Sequence, residues 1–123
     1  FKLAGNFMIS AMVQTLSVAF VFAKAEGLDP ELFLETINEA LFQSQFYLNY
    51  GRVMLHPPEH PGATVLLGEK DIRLFREATE STGLRLRLAE YLQEQFDVGI
   101  RRGLGNADWA VGQYRIAEQT AKK

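Results

Sequence analysis

One long apolar segment, residues 7–23, most constrains what this chain can fold into. It carries no charged residue and has roughly the 17 residues that a membrane crossing needs, but Ser10, Gln14, Thr15 and Ser17 interrupt it and no small-residue cleavage site follows it. A helix that is apolar nearly all round, in a chain with polar segments elsewhere, is typical of the centre of a helical bundle. We therefore expect a buried core helix rather than a membrane span or a signal peptide.

Composition excludes several classes of function. The chain has 123 residues, which favours one domain with its own core. The net charge of -2 gives no basic surface, so we expect no nucleic-acid partner. The absence of cysteine excludes disulfides and thiol catalysis, and fits a cytoplasmic protein.

Glycine, proline and capping residues divide the chain into about six helices. Gly27 ends the first helix, and Asp29-Pro30 begins the second with an N-cap and a first-turn proline. We place the first helix at residues 3–26, the second from Asp29 through Leu41, and the others at 45–55 after a Ser44 cap, 65–82, 85–101 and from Asn106 or Asp108 onward, with a loose tail at 121–123. No segment alternates with a period of two, so the predicted fold is all-α, a bundle around the long first helix.

The proline-rich segment from His56 to Gly62 is the clearest predicted loop. His56 and His60 are four residues apart, a spacing that binds metals on a helix, but prolines lie between and beside them. No third ligand is evident, so we expect no metal site.

Polar residues recur every fourth position along the first helix, at Lys2, Asn6, Ser10 and Gln14. This spacing places them on one helical face. Spacing alone favours a solvent-facing seam. The alternative is a cleft wall, in which Lys2 exchanges a proton with a substrate and Asn6 holds a substrate oxygen.

Two further segments carry polar residues that can bind a ligand. Lys70-Asp71 lies within a predicted helix, as a surface charge pair or as a cation that reaches an anionic ligand. The turn from Gly103 to Asp108 precedes the last helix. Because no predicted strand precedes this turn, it is only a weak indication of nucleotide binding, and we interpret it as a helix cap.

Taken in order, these segments resemble the C-terminal helical domain of the β-hydroxyacid dehydrogenase family. That family includes 3-hydroxyisobutyrate dehydrogenase, tartronate semialdehyde reductase and glyoxylate/succinic semialdehyde reductase, and is related to 6-phosphogluconate dehydrogenase. The resemblance covers nearly the whole chain. Its motifs are Lys2-Leu-Ala-Gly-Asn6, Gly27-Leu-Asp-Pro30, Lys70-Asp71-Ile72 and Gly103-Leu-Gly-Asn-Ala-Asp108.

The resemblance implies a role for each motif residue. Lys2 matches the catalytic lysine, the general acid/base of hydroxyl–carbonyl interconversion, and Asn6 matches the substrate-positioning amide. Lys70 matches a lysine that reaches the cofactor, NAD or NADP, and Asp71 is its neighbour. An N-terminal Rossmann domain would hold most of that cofactor. We therefore expect residues 1–123 to be the substrate-binding and dimerisation domain of a longer protein that acts on a small hydroxyacid or semialdehyde, and to be inactive alone.

Three departures from the family pattern leave alternatives open. Ala63 stands where an aromatic is frequent, Gly5 where a polar residue is frequent, and Glu69 where a neutral residue is usual. A non-catalytic helical dimerisation module is the main alternative. Imine reductases of the same fold are a further alternative. They usually have another residue in place of the catalytic lysine, so Lys2 favours a hydroxyacid dehydrogenase.

Overall fold

A computed structural model describes residues 1–122 and shows a bundle of six α-helices. The helices are α1 (Lys2–Ala25), α2 (Pro30–Ile37), α3 (Gln45–Leu55), α4 (Val65–Glu80), α5 (Arg87–Arg101) and α6 (Trp109–Ala121). Over the described part of the chain there is no strand, and a single antiparallel bridge joins Thr64 to Asp108. The predicted all-α class and helix number are confirmed. Of the predicted loose tail, Ala121 closes α6 and Lys123 lies outside the described residues.

The predicted start and end signals act as expected at most helix ends. Gly27 follows α1 with φ of +80°, a left-handed conformation that favours glycine. The Asp29 carboxylate accepts a hydrogen bond from the Glu31 amide at 3.1 Å, and the Ser44 hydroxyl accepts one from the Tyr47 amide at 3.3 Å. These caps satisfy amides that the first helical turn leaves unpaired.

The predicted second helix was wrong at its C-terminal end. The predicted end of α4 at residue 82 and the predicted start of α5 at residue 85 were each wrong by two residues. A π-helical turn, Asn38–Phe42, follows α2 directly, so the α-helix does not reach Leu41. The buried Asn38 side chain accepts a hydrogen bond from the Ser44 amide at 3.0 Å. Gln43 takes the left-handed conformation with φ of +47°, which reverses the chain toward α3.

Helix α1 contributes one face to the core, whereas the apolar segment predicts a helix that is buried nearly all round. By length and composition it could span a membrane, with a mean hydropathy of 1.6 over its most apolar window. However, Val13, Phe20 and Ala23 are fully buried by the other helices of the bundle. The Phe20 ring packs edge-on against Tyr114 at 5.6 Å between centroids. Burying a large apolar side chain of this kind contributes roughly 1.5–3 kcal/mol.

A second apolar cluster fixes α4 against α1 and α5. Its buried members are Val65, Ile72, Leu92 and Phe96. On the α1 side, Phe7 stacks on Phe75 with ring centroids 4.5 Å apart. These contacts hold the first turns of α1 beside the first half of α4, where the predicted functional residues lie.

Candidate functional site

A cavity of about 150 Å³ lies where α1, α3, α4 and α6 meet. Its walls contain both predicted polar motifs and aromatic residues from distant parts of the chain. The lining residues are Asn6, Ile9, Ser10, Tyr50, Ala63, Gly68, Asp71 and Trp109.

The side chains of Asn6 and Asp71 meet in one wall of this cavity. The Asn6 amide donates to the Asp71 carboxylate at 3.5 Å, and both residues are half-buried. This distance is at the long end of hydrogen bonding, so the bond contributes little to the stability of the fold. Asp71 is the only charged residue among those that line the cavity in the described structure.

The polar face of α1 runs from solvent into the interior. Lys2 is exposed, Asn6 is half-buried, and Ser10 and Gln14 are buried, with exposed fractions of 1% and 7%. The solvent-facing seam that spacing favoured is therefore wrong for Ser10 and Gln14. The cleft-wall interpretation describes Asn6 and Ser10, which both line the cavity.

The two lysines lie outside the cavity. Lys2 and Lys70 are both exposed, and Lys2 does not occupy the partly dry cleft that the sequence analysis envisaged. Lys2 precedes Asn6 by one helical turn, and Lys70 directly precedes Asp71 in α4. Among residues 1–122 neither ammonium has an ion-pair or hydrogen-bond partner, so both are free to meet an anionic ligand.

Tyr50 and Trp109 are cavity residues that the sequence analysis did not identify as functional. Their rings pack at right angles, with centroids 5.5 Å apart. Burial, and secondarily the charge of Asp108, raise the pKa of the Tyr50 phenol above its ordinary value of 10.0. Like any tyrosine at neutral pH, it is protonated and can donate a hydrogen bond. In the sequence, Tyr50 belongs to the apolar pattern of α3, and no local signal separates it from a core residue.

The three residues that depart from the family pattern have different surroundings in the structure. Ala63 lines the cavity, and its carbonyl accepts a hydrogen bond from the Trp109 amide at 3.0 Å. Glu69 forms an ion pair with Arg73 at 3.1 Å. Gly5 has open space where a side chain would begin.

The turn before α6 acts as a structural element. The Asp108 carboxylate accepts hydrogen bonds from the Ala110 and Val111 amides at 2.9 and 3.2 Å, capping the helix. Gly103 has φ of +82°, and the Gly105 carbonyl accepts from the Leu66 amide. The turn thus joins α6 to α4 and places Trp109 in the cavity wall.

His56, at the start of the proline-rich loop, has an acidic neighbour. His56 contacts the Glu31 carboxylate, and both side chains are exposed. Over residues 1–122 no group of three or more acidic, histidine or cysteine side chains is arranged to hold a metal ion.

The sequence and fold define the family to which this chain belongs. The family model described as NAD-binding of NADP-dependent 3-hydroxyisobutyrate dehydrogenase matches residues 1–112. The chain belongs to this family, and the resemblance drawn from its motifs is confirmed.

Two curated relatives and one solved structure show the same relationship. An uncharacterized oxidoreductase of Bacillus subtilis (strain 168), YfjR, is 38% identical over 110 residues, which are 89% of this chain and 38% of the relative. The 2-hydroxy-3-oxopropionate reductase of Escherichia coli (strain K12) is 23% identical over 107 residues, 87% of this chain and 37% of the relative. The chain thus spans well under half the length of these relatives.

The structural comparison supports the fold. The crystal structure of 3-hydroxyisobutyrate dehydrogenase (ygbJ) from Salmonella typhimurium superposes with a TM-score of 0.84 at 17% identity. The match covers 94% of this chain and 40% of that structure. The six-helix bundle is therefore a unit of a larger architecture in that dehydrogenase.

Proposed function

We propose that this chain is the C-terminal helical domain of an NAD(P)-dependent oxidoreductase, which interconverts a small β-hydroxyacid and its semialdehyde or keto form. The Asn6–Asp71 pair in the cavity wall carries the proposal, because it joins two separate family motifs at one place. The Escherichia coli relative and the Salmonella typhimurium structure are named for 2-hydroxy-3-oxopropionate and 3-hydroxyisobutyrate, which are both of this chemical class.

In this proposal Lys2 acts as the general acid/base. Its ammonium lies one turn outside Asn6, where it can give a proton to a carbonyl oxygen or take one from a hydroxyl through its free base. Because the second domain would cover this end of α1, Lys2 would work in a drier environment than the isolated chain provides.

Asn6 would fix the substrate oxygen beside Lys2. One N–H of its amide is directed to Asp71, which leaves the second N–H and the carbonyl oxygen of the amide for the substrate. Holding one oxygen in a single orientation converts binding energy into alignment of the reacting carbon.

In this proposal the cofactor would meet this domain only at the mouth of the cavity. Residues 1–122 contain no strand followed by a glycine-rich phosphate loop, so a Rossmann domain outside this chain would hold most of NAD or NADP. Lys70, exposed and adjacent to Asp71, would contact the cofactor from this domain. When bound, the nicotinamide exchanges a hydride with the substrate carbon.

We also propose that the protein is a cytoplasmic homo-oligomer, most simply a dimer, and that it engages neither nucleic acid nor a membrane. The observation that supports the homo-oligomer is an apolar face of α1 that the bundle leaves uncovered. Met8, Val18 and Phe22 are 68%, 52% and 63% exposed on it. Such a face is stable in water when another protein surface covers it.

The non-catalytic dimerisation module remains the second candidate. The observation in its favour is that Lys2 is exposed and does not line the cavity. Such a module would keep the bundle and the apolar face of α1 but would show no turnover.

Turnover by the full-length protein that contains this chain separates the two candidates. Nicotinamide absorbance would be followed with NAD and with NADP over a panel of small β-hydroxyacids and semialdehydes. If the proposed function is right, the full-length protein should turn over at least one compound. Asn6→Ala should then lower kcat/KM by roughly 10- to 100-fold. Cofactor binding without turnover of any compound would contradict the proposed function.

A further inference from the structure

The apolar face of α1 that the bundle leaves uncovered follows a regular spacing along the whole helix. Its residues are four and three positions apart in alternation, and none of them is charged: Ala4, Met8, Ala11, Thr15, Val18, Phe22 and Ala25. Six of them are exposed, and Ala11 is half-buried. This spacing keeps the residues on one side of the helix and is the pattern by which two helices pack along their length. We call this surface the outer face of α1.

An apolar groove of about 490 Å³ borders the outer face on the side of α3. Met8, Met12 and Thr15 of α1 form one wall, and Phe46 and Tyr47 of α3 form the other. In the described structure no charged residue lines the groove. Met8 and Phe46 are 68% and 55% exposed, so the groove presents large apolar side chains to solvent. Such a surface favours a partner that brings apolar side chains of its own.

The outer face alone is too small to hold a stable partner. At about 1.5 Å per residue it is roughly 30 Å long, and a helix roughly 10 Å wide therefore offers about 300 Å². A stable interface buries about 800 Å² on each partner. A partner must therefore cover the groove as well, together with Phe42, which is 52% exposed and packs against Tyr47 with ring centroids 4.9 Å apart.

A second copy of this chain matches both surfaces when the two α1 helices run antiparallel. If Thr15 faces Thr15 of the second copy, position 4 lies near position 25, 8 near 22 and 11 near 18, so the two outer faces cover each other over their full length. Phe22 of each copy then lies at Met8 of the other, which belongs to the groove. A parallel pair would bring the two Lys2 residues and the two cavity mouths together at one end, with aligned helix dipoles that repel each other.

We propose that two copies of this chain pair through antiparallel α1 helices, with Thr15 beside the two-fold axis and Phe22 of each copy in the groove of the other. The inference rests on the homo-oligomer of the proposed function and names its surface and orientation. A two-fold contact of this kind uses the same patch on both copies and closes after two, so it gives a dimer. It leaves the two cavities at opposite ends of the pair and does not require them to be active.

Disulfide formation in the full-length protein tests the orientation, because residues 1–123 contain no cysteine. Any cysteine outside these residues would first be replaced by serine. Thr15→Cys should then form a covalent dimer on mild oxidation, since its two Cα atoms would lie within roughly 7 Å. Ala4→Cys and Ala25→Cys should each stay monomeric in a denaturing gel, because each meets the other end of the partner helix. The double variant Ala4→Cys/Ala25→Cys should form the covalent dimer.

Sedimentation equilibrium of Phe22→Asp provides a second measurement. The dimer dissociation constant should rise by roughly tenfold or more, because a charge would enter an apolar groove. Leu28→Asp is the matched control, since Leu28 is 53% exposed and lies outside both the outer face and the groove, and it should keep the wild-type constant. Thermal unfolding shows whether each variant keeps its fold.

A covalent dimer of Ala4→Cys or Ala25→Cys alone, no covalent dimer of Thr15→Cys, or an unchanged dissociation constant of Phe22→Asp would overturn the proposal. The predicted crosslinks without turnover of any compound would support the pairing and contradict the proposed reaction. Turnover by a monomeric protein would do the reverse.

Discussion

The side-chain amide of Asn6 on α1 donates a hydrogen bond to the carboxylate of Asp71 on α4, although 65 positions separate them in the sequence. One residue beyond Asn6, the Phe7 ring stacks on Phe75, which lies one turn after Asp71. The polar pair and the aromatic stack together hold the two motifs in one wall. This geometry brings the two motifs together at one place.

The Asn6–Asp71 bond should matter for activity more than for stability. We expect Asp71→Ala to lower kcat/KM of the full-length enzyme by roughly 10- to 100-fold, because the Asn6 amide loses its orientation. The free energy of unfolding should fall by less than about 1 kcal/mol, since the bond is long and half-exposed. Steady-state kinetics and urea unfolding measure the two effects. Asp97→Ala, a half-buried acid of α5 outside the cavity, should leave kcat/KM unchanged.

Replacement by alanine should lower the stability of the protein at Gly68 and raise it at Gly5. A Cβ at Gly68 would lie 2.5 Å from the Phe96 ring, which is buried in the second core cluster. We expect Gly68→Ala to destabilise the protein by roughly 1–3 kcal/mol. Gly5 lies in α1 with nothing within 4 Å of its added Cβ, so Gly5→Ala should stabilise by roughly 0.5–1 kcal/mol. Thermal and urea unfolding measure the stability of both variants. Equal changes in their free energy of unfolding would contradict the packing described.

Tyr50 should contribute to stability in a pH-dependent way. Burial, with a smaller effect of Asp108, raises its pKa in the folded state above the ordinary value of 10.0. The contribution is therefore complete below pH 10 and is lost as the pH rises through the folded-state pKa, because the unfolded chain ionises first. We expect wild type to lose more unfolding free energy than Tyr50→Phe between about pH 9 and about pH 11. Urea titrations at each pH measure the free energy of unfolding of both proteins. Equal losses for wild type and Tyr50→Phe would show that Tyr50 is not buried as described.

The left-handed residue after the π-helical turn offers a test of the fold. Gln43 has φ of +47°, which costs a non-glycine residue roughly 1–2 kcal/mol. Gln43→Gly should therefore stabilise the protein, by up to about 1 kcal/mol after the entropy of the unfolded glycine is subtracted. Arg52→Gly, at an exposed position within α3, should destabilise by roughly 0.5–1 kcal/mol. Destabilisation by both changes in a thermal melt would contradict the left-handed turn.

Local signals predicted most of the fold. The caps at Asp29 and Ser44 and the glycine at Gly27 each satisfy backbone groups within a few residues, so their effects can be read from short segments. The turn at Asn38 was missed because a buried side chain, not a glycine or proline, shapes it.

The candidate site was predictable only in part. Helical spacing placed Asn6 and Ser10 on one face, but which face is buried depends on how the other helices pack against α1. Tyr50 and Trp109 enter the cavity through contacts between α3 and α6, which no local pattern in either helix reveals. Lys2 and Lys70 were candidates from their sequence context, their specific roles come from the family resemblance, and those roles stay predictions.

Replacement of Lys2 in the full-length protein tests the central claim most directly. The measurement is kcat for a compound that wild type turns over, together with cofactor affinity, for wild type, Lys2→Ala and Lys24→Ala. Lys24 is an exposed lysine at the far end of α1, paired with Glu118, and serves as the matched control. If Lys2 is the general acid/base, Lys2→Ala lowers kcat by roughly 100- to 10,000-fold while cofactor still binds, and Lys24→Ala keeps wild-type kcat. A Lys2→Ala protein with wild-type kcat would contradict the account.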